Sequence, residues 1–192
     1  MKNNTMKNAI MLFVFVIMLF VLCLGIIILV KANYSKEPVN PLDVTFDGAK
    51  DVVTINRLVA VSSEFGRTIT EDNAGAFGYL LFDVVNHTNE KRTYQIYATK
   101  EELDGIEIQS SYVTLYLTDD RDVPLEGYEG EELSSFNQLS YLNNKPESKL
   151  LYYGLIEPNE IVHVKLRAWV SEPYVVDGSA SGFSFKVAAR AV

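Results

Sequence analysis

Hydrophobic and polar positions along this chain follow two different rhythms. From Ala9 to Val30 every side chain is uncharged and apolar, AIMLFVFVIMLFVLCLGIIILV. At about 1.5 Å of rise per residue, a helix of this run reaches roughly 33 Å and crosses a bilayer core of about 30 Å. The apolar region of a cleavable signal is shorter, about 7–15 residues, and ends in small side chains. Here the only small interruption is Gly25, inside the run. The pattern predicts an uncleaved transmembrane helix over residues 9–30. The alternative is a cut ahead of Asn33, with Val30 and Ala32 at the third and first positions before it.

Beyond Val30 a period of two takes over. Val52 to Val61, Tyr79 to Val85, Arg92 to Ala98, Ile106 to Gln109, Tyr112 to Thr118, Leu150 to Ile156, Ile161 to Val170 and Phe183 to Ala191 are rich in β-branched and aromatic residues and predict strands. The alternation is cleanest in Ile161 to Val170. Val162, Val164, Leu166, Ala168 and Val170 face one way, and Ile161, His163, Lys165, Arg167 and Trp169 the other. Asn86-His87-Thr88-Asn89, Asp104-Gly105, Glu157-Pro158-Asn159 and Asp177-Gly178 supply turn chemistry between the runs. Thr99 and Glu102 have capping-box spacing and predict one helical turn. Glu131 to Leu142 reads either as a short helix lined by Leu133, Phe136 and Leu139 or as a loop pinned by its aromatics. About eight short strands at this spacing predict an all-β, antiparallel β-sandwich.

The expected order is a tail (1–8), the transmembrane helix (9–30), a polar linker with Pro38 and Pro41 (31–43) and a sandwich (44–192). Lys2 and Lys7 bias the N-terminus toward the cytoplasm, so the sandwich is expected outside it. Cys23, the only cysteine, lies in the apolar run, so no disulfide holds the sandwich and its stability rests on a core. Leu22 immediately before Cys23 argues against lipid attachment there. After Lys31 the chain has 14 basic and 25 acidic residues, a net charge of −11. That balance argues against nucleic acid or anionic lipid as the main partner of the sandwich. The expected partners are the lipid bilayer, through residues 9–30, and a cell-wall polymer or a protein; self-association is left open.

Several segments in the second half carry a resemblance. They are Phe82-Asp83-Val84-Val85-Asn86 leading to Tyr94-Gln95-Ile96, the strand end Leu115-Tyr116-Leu117-Thr118-Asp119, and Leu151-Tyr152-Tyr153-Gly154-Leu155-Ile156 before Pro158-Asn159-Glu160. Lys165-Leu166-Arg167-Ala168-Trp169-Val170-Ser171-Glu172 and the terminal Phe183 to Ala191 complete the set. Together they resemble exported surface β-sandwich proteins of Gram-positive bacteria and are distantly similar to the TasA and camelysin family of biofilm-fibre subunits. The resemblance implies a jelly-roll-like sandwich. It also implies polymerisation in which an N-terminal segment, freed by signal cleavage, completes the sheet of the next subunit. This chain departs at that place, because a long apolar helix keeps the segment tied to the membrane.

Chemistry-bearing constellations are sparse. His87 and His163 are the only histidines, with no HExxH pattern, so an ordinary zinc site is not expected. Asp119, Asp120 and Asp122, followed by Glu126, Glu129, Glu131 and Glu132, gather oxygens that would interest calcium, although their spacing is not that of an EF-hand loop. Gly178-Ser179-Ala180-Ser181-Gly182 has alanine where a serine elbow needs its nucleophile. Asn86-His87-Thr88 has the spacing of a glycosylation acceptor and equally that of a turn. No cofactor is expected. If the last two strands pair as neighbours, His163, Lys165, Arg167, Trp169, Lys186 and Arg190 share one outer face, a tryptophan ringed by cations fit for a sugar or an anionic partner. The sequence therefore predicts a non-catalytic structural or interaction module, membrane-anchored at the cell surface; the alternative is a secreted fibre subunit cut near Ala32.

Overall fold

The structure is a computed structural model that describes residues 15, 17–19, 22, 40–46, 50–55, 59–125, 133–142, 145–174 and 180–192. The chain divides into two units, 1–39 and 40–192. In the first, Phe15, Ile17, Met18, Leu19 and Leu22 are helical and exposed. No described helix is long and apolar enough to cross a membrane. Most of the predicted span over 9–30 lies outside the described residues.

The second unit holds twelve strands among the described residues: β1 (Leu42–Phe46), β2 (Val52–Ile55), β3 (Ala60–Val61), β4 (Gly78–Asn86), β5 (Arg92–Glu101), β6 (Ile106–Glu107), β7 (Val113–Thr118), β8 (Leu133–Ser135), β9 (Tyr141–Leu142), β10 (Lys145–Ile156), β11 (Ile161–Ser171) and β12 (Ala180–Ala191). They form two six-stranded sheets. Sheet A runs β1-β4-β11-β7-β8, with β3 added to β11; sheet B runs β2-β12-β5-β10-β9, with β6 added to β12. All pairings are antiparallel except those of β3 and β6. The expected antiparallel sandwich is the observed architecture.

The alternation sets the faces. In β4 the burial pattern switches at every residue, with Leu80, Phe82 and Val84 inward. Val164, Leu166, Ala168 and Val170 of β11 meet them from the same sheet. From sheet B come Tyr94, Ile96 and Ala98 of β5 and Phe183, Phe185, Val187 and Ala189 of β12, all buried. Phe136, in the turn after β8, inserts between the sheets with its ring 5.1 Å from that of Phe183 and 5.7 Å from that of Phe185. Burying such aromatic surface is the main source of stability in a domain without disulfides.

Several expectations shift locally. Leu42 and Asp43, expected in the linker, open β1, whose alternation Leu42-Val44-Phe46 was masked by its shortness. Val52 to Val61 is not one strand but two, β2 in sheet B and β3 in sheet A. Thr99 is not helical: it pairs with Ser148 and Lys186 in sheet B, and its Oγ1 lies 2.9 Å from the Ser148 Oγ. Helical geometry appears instead at Ser63–Gly66, capped by Ser62, and at the 3₁₀ segment Glu71–Ala76, where Thr70 and Asn73 make the capping box. The region 131–142 resolves into β8, a turn and β9, of which residues 131 and 132 lie outside the described residues. That crossover is clamped by Lys149, which is buried, donates to the carbonyls of Asn137 and Leu139, and lies 3.8 Å from the Tyr141 ring centroid. Burial pushes the Lys149 ammonium below its ordinary pKa.

The turn after β4 is organised by Asn86, which is fully buried. Its Nδ2 donates to the carbonyls of Glu90 at 2.8 Å and Glu157 at 3.0 Å, and its Oδ1 accepts from the backbone N–H and hydroxyl of Thr88. One side chain thus ties the β4–β5 turn to the β10–β11 turn. In the folded domain Asn86 is a structural hub, with its amide turned away from solvent. Asn159, in the second of those turns, takes a φ of 57°, a conformation asparagine tolerates better than most residues. Gly182 has a φ of 152°, and a Cβ there would come within 2.5 Å of the Ile55 carbonyl oxygen, so only glycine fits at the head of β12.

Candidate functional site

The six residues expected to share one face do not do so. β11 lies between β4 and β7 in sheet A, whereas β12 lies between β2 and β5 in sheet B. His163, Lys165, Arg167 and Trp169 therefore project from one outer face of the sandwich, and Lys186 and Arg190 from the other. Period-two alternation assigns side chains to faces but says nothing about which sheet a strand joins. Strands adjacent in sequence are usually neighbours, and here the last two cross between sheets.

The outer face of sheet A is largely closed. Residues 62–77 pass over it, bringing Ile69 and Phe77 onto Trp169 and Tyr116 to make a second, smaller core. Trp169, expected at the surface, is completely buried. Gly66 lies so close that a Cβ on it would sit 2.2 Å from Cε2 of the indole. Arg167, also expected outside, is 4% exposed. Its Nε donates to the Ile69 carbonyl at 2.7 Å, its Nη1 to the Thr118 hydroxyl at 3.0 Å and its Nη2 to Asp122 at 2.6 Å. This buried cation fastens the covering segment and the loop after β7 to the sheet. Charge-assisted bonds of this kind are stronger than neutral ones.

The acidic loop is consumed by the same network. Asp119 Oδ1 accepts the backbone N–H groups of Val123 and Arg121, and its Oδ2 takes the Arg121 guanidinium. These bonds, Val123 foremost, hold its carboxyl below the ordinary range. Asp122, at a φ of 62°, accepts from Arg167 and from Lys165 at 3.1 Å. Arg167 first and Lys165 second lower its pKa. Asp120 lies 3.9 Å from Arg121. The aspartate oxygens proposed for calcium thus face cations and amides; Glu126, Glu129, Glu131 and Glu132 lie outside the described residues. Among the described residues no group of three or more histidine, cysteine or acidic side chains could hold a metal. His163 keeps its expected outward position, with Nδ1 2.7 Å from Asp83 Oδ1. Both line an open cleft of about 560 Å³ with Lys165 and Asp120.

On the outer face of sheet B, Tyr153 and Leu155 are exposed, whereas Leu150 and Ser148 are buried. Opposed residues of antiparallel strands share a face, so register defines its rows. One row is Arg190–Gln95–Tyr153, crossing β12, β5 and β10. Next to it lies Ala188–Tyr97–Leu150, and beyond the other side Thr93–Leu155. Tyr153 is 44% exposed and Leu155 60%. Arg190 is half-buried and donates through Nε at 3.0 Å and Nη2 at 2.9 Å to the Gln95 side-chain oxygen, laying the guanidinium against the sheet. Lys186 lies further along β12, where it pairs with Asp51 at 2.8 Å. That bond lowers the Asp51 pKa and raises that of Lys186. The result is an aromatic and amide-bearing strip on a rigid sheet.

Sequence reasoning placed Arg190 in the candidate site but missed Tyr97, Tyr153, Gln95, Thr93 and Leu155. For the β5 residues the signal was present. Each occupies a position of the period that opposes the inward residues Tyr94, Ile96 and Ala98 of β5, or follows the β10 irregularity between Leu150 and Tyr152. That bulge reverses which positions of β10 face outward, so counting from Leu150 along the sequence puts Tyr153 on the wrong side.

No family model matches the chain, and no curated protein does. Among solved structures it is similar to the CBM3a-L domain with flanking linkers from scaffoldin cipA of the cellulosome of Clostridium thermocellum, at 14% identity over 81% of this chain and 89% of that one, with a TM-score of 0.28. A score that low carries no argument about fold or function.

Proposed function

We propose that this chain is a non-catalytic interaction module, held in the cell membrane by residues 9–30 with its sandwich outside the cytoplasm, and that it captures a cell-wall polymer or a protein on the outer face of sheet B. The observation that carries the reading is the contrast in cover. One outer face is sealed by residues 62–77, and on the other Tyr153 is 44% and Leu155 60% exposed. Exposed aromatic and apolar side chains grouped on one rigid face mark interaction surfaces. Membrane anchoring is supported by Phe15, Ile17, Met18, Leu19 and Leu22, which are helical, apolar and each at least 49% exposed. Such side chains gain free energy in lipid.

The fibre reading is supported by the sequence resemblance and asks for an N-terminal segment free to pair with another subunit. β1 is instead paired in register with β4 of its own sheet, from Leu42 opposite Asn86 to Phe46 opposite Phe82. On its other edge the Val44 N–H is taken by the Asp43 carboxylate, a charged cap that discourages edge pairing. Only residues before Asn40 are then left to serve.

Two measurements on native protein test the proposal. Intact mass and N-terminal sequence of the membrane and wall fractions should return the full-length chain in the membrane; a chain beginning near Asn33 in large extracellular assemblies would replace the module with a fibre subunit. Replacing Tyr97 and Tyr153 together with Ala should abolish retention of isolated wall fragments by the full-length protein. Unchanged retention would remove sheet B as the docking face.

A further inference from the structure

We propose that the flank of the sandwich where β2 and β4 meet is a second docking surface, apart from the outer face of sheet B: a groove that takes one extended, basic segment of a protein partner as an added β-strand.

Backbone direction comes first. In an antiparallel pair, successive residues turn their N–H and C=O alternately toward the neighbouring strand and away from it. The Val187 N–H donates to the Asp51 carbonyl at 2.7 Å, so Asp51, Val53 and Ile55 face β12. Val52 and Thr54 then point their backbone groups the other way, on the side where β2 ends sheet B. β4 follows the same rule. The Asn86 N–H donates to the Glu160 carbonyl at 3.0 Å, which turns the even positions toward β11 and the odd ones toward β1. β1 meets Val85 and Asp83 but its pairing stops at Phe46, opposite Phe82. Among the described residues, no strand lies beside Tyr79 and Leu81 on that side.

The two edges open into one space. Clefts of about 590 and 190 Å³ share Val52, Ala74 and Tyr79; Thr54 and Phe77 line the first, and Leu81 the second. At the floor, a Cβ on Gly78 would come within 2.4 Å of Val53 Cγ1, so the two sheets touch there. A segment of about four residues, roughly 13 Å long and about 4.8 Å from its neighbour, covers either edge. β1 shows what a guarded edge looks like: its outward Val44 N–H is taken by the Asp43 carboxylate at 2.9 Å. Among the described residues, no side chain caps the backbone of Val52, Thr54, Tyr79 or Leu81 in this way.

Charge selects the occupant. Lys50 and Glu71 line the groove, and Asp72 follows Glu71 in the first turn of the 3₁₀ segment. Asp51, also at the groove, is taken by Lys186 at 2.8 Å. That leaves two carboxylates against one ammonium, on a domain already strongly acidic. The field favours a basic segment and disfavours a second copy, which brings the same excess of acid. An added strand gains affinity from main-chain bonds and specificity from alternate side chains. Apolar residues at alternate positions would meet Ala74 and Phe77.

The test uses the full-length chain in detergent. The probes are fluorescent hexapeptides, apolar at alternate positions and free of proline, in lysine-bearing, glutamate-bearing and fully N-methylated versions. Anisotropy should show saturable binding of a lysine-bearing peptide, at least tenfold weaker binding of its glutamate counterpart, and none of the N-methylated one. Binding should slow amide exchange at Val52 and Thr54, or at Tyr79 and Leu81, by tenfold or more in residue-resolved measurements. Ala74→Phe, which fills the groove, should weaken binding about tenfold. Glu71→Lys should narrow the preference for lysine over glutamate severalfold. Melting curves of both variants serve as the fold control.

The inference is overturned if no lysine-bearing peptide binds, or if glutamate-bearing peptides bind equally well. It also falls if all four amides are as protected in the free protein as those of Val53 and Leu80, or if none slows on binding. Wild-type binding by well-folded Ala74→Phe would remove the groove. Self-association that Ala74→Phe abolishes would replace the basic partner with a second copy.

Discussion

The two outer faces of the sandwich are made of the same kind of strand and come to opposite ends. On sheet A, the end of β11 turns Trp169 and Arg167 outward, and the chain spends residues 62–77 in covering them. On sheet B, β12 and β10 turn Arg190, Tyr153 and Leu155 outward, and Tyr153 and Leu155 stay exposed. The difference teaches where aromatic surface is spent on folding and where it stays exposed. Trp169 is completely buried, whereas Tyr153 is 44% exposed in a sheet just as well paired. Exposed apolar surface gives up the free energy that cover would bring.

The strongest way to break the contrast is to hollow out the covered face. Trp169→Ala removes the centre of the small core under Ile69 and Phe77 and should cost about 3–5 kcal/mol, read by urea denaturation followed by far-ultraviolet circular dichroism. A cost below about 1 kcal/mol would mean that the cover contributes little to folding. Gly66→Ala attacks the same contact from above. The new methyl would stand 2.2 Å from the indole carbon Cε2, so cover and sheet must separate. Overpacking of this kind costs about 1–3 kcal/mol, and Trp169 emission should shift to the red as water reaches the indole. Neither substitution touches sheet B, so retention of wall fragments should survive in the fraction that stays folded.

How far the sequence could show this contrast depends on the residue. Val162 to Val170 announced the inward face of β11 by alternation alone, and the eight predicted runs all hold strand residues, so architecture was readable. Cover was not. Trp169 is sealed by Gly66, a residue distant in the chain, and nothing local to either residue signals the contact. Arg167 looked like a surface cation because arginine is seldom buried; its burial depends on the Ile69 carbonyl, Thr118 and Asp122 meeting it at once. On the open side, the β10 bulge hid Tyr153, and the exchange of sheets between β11 and β12 scattered the six-residue cluster. Asn86 looked like an ordinary turn residue because its other partner, the Glu157 carbonyl, comes from a different hairpin.

Acid sharpens the comparison by acting on one fastening of the covered face. Asp122 is bound by Arg167 first and Lys165 second, which holds its carboxyl below its ordinary value of 3.8. A group whose folded pKa is depressed adds stability above its unfolded pKa and loses it as pH falls through the folded one. The contribution of this contact should therefore be complete at neutral pH and fade below pH 3.8. Asp122→Asn should lower the melting temperature at neutral pH and narrow the gap to wild type as the solution is acidified through that range. Because Asp122 is itself 58% exposed, the effect is smaller than those of Trp169 and Gly66. A gap that stays constant with pH would show that Arg167 is held by Ile69 and Thr118 without help from charge.

The smallest effect on stability is the one that decides what the open face is for. Tyr153→Ala removes an outward ring from β10 while leaving its backbone pairing with Gln95 intact, and the inward neighbours Tyr152 and Gly154 keep their places. Surface substitutions of this kind usually stay within about 0.5 kcal/mol of wild type. Strand propensity adds a small penalty for alanine, of the same order. If the face existed only to complete the sheet, stability would be the sole property to move, and it would move little. If the face holds a ligand, binding falls about tenfold while the melting curve barely changes. Tyr153→Phe separates ring from hydroxyl. Retained binding in that variant assigns the work to stacking, and lost binding assigns it to the hydrogen bond that the phenol makes with the ligand.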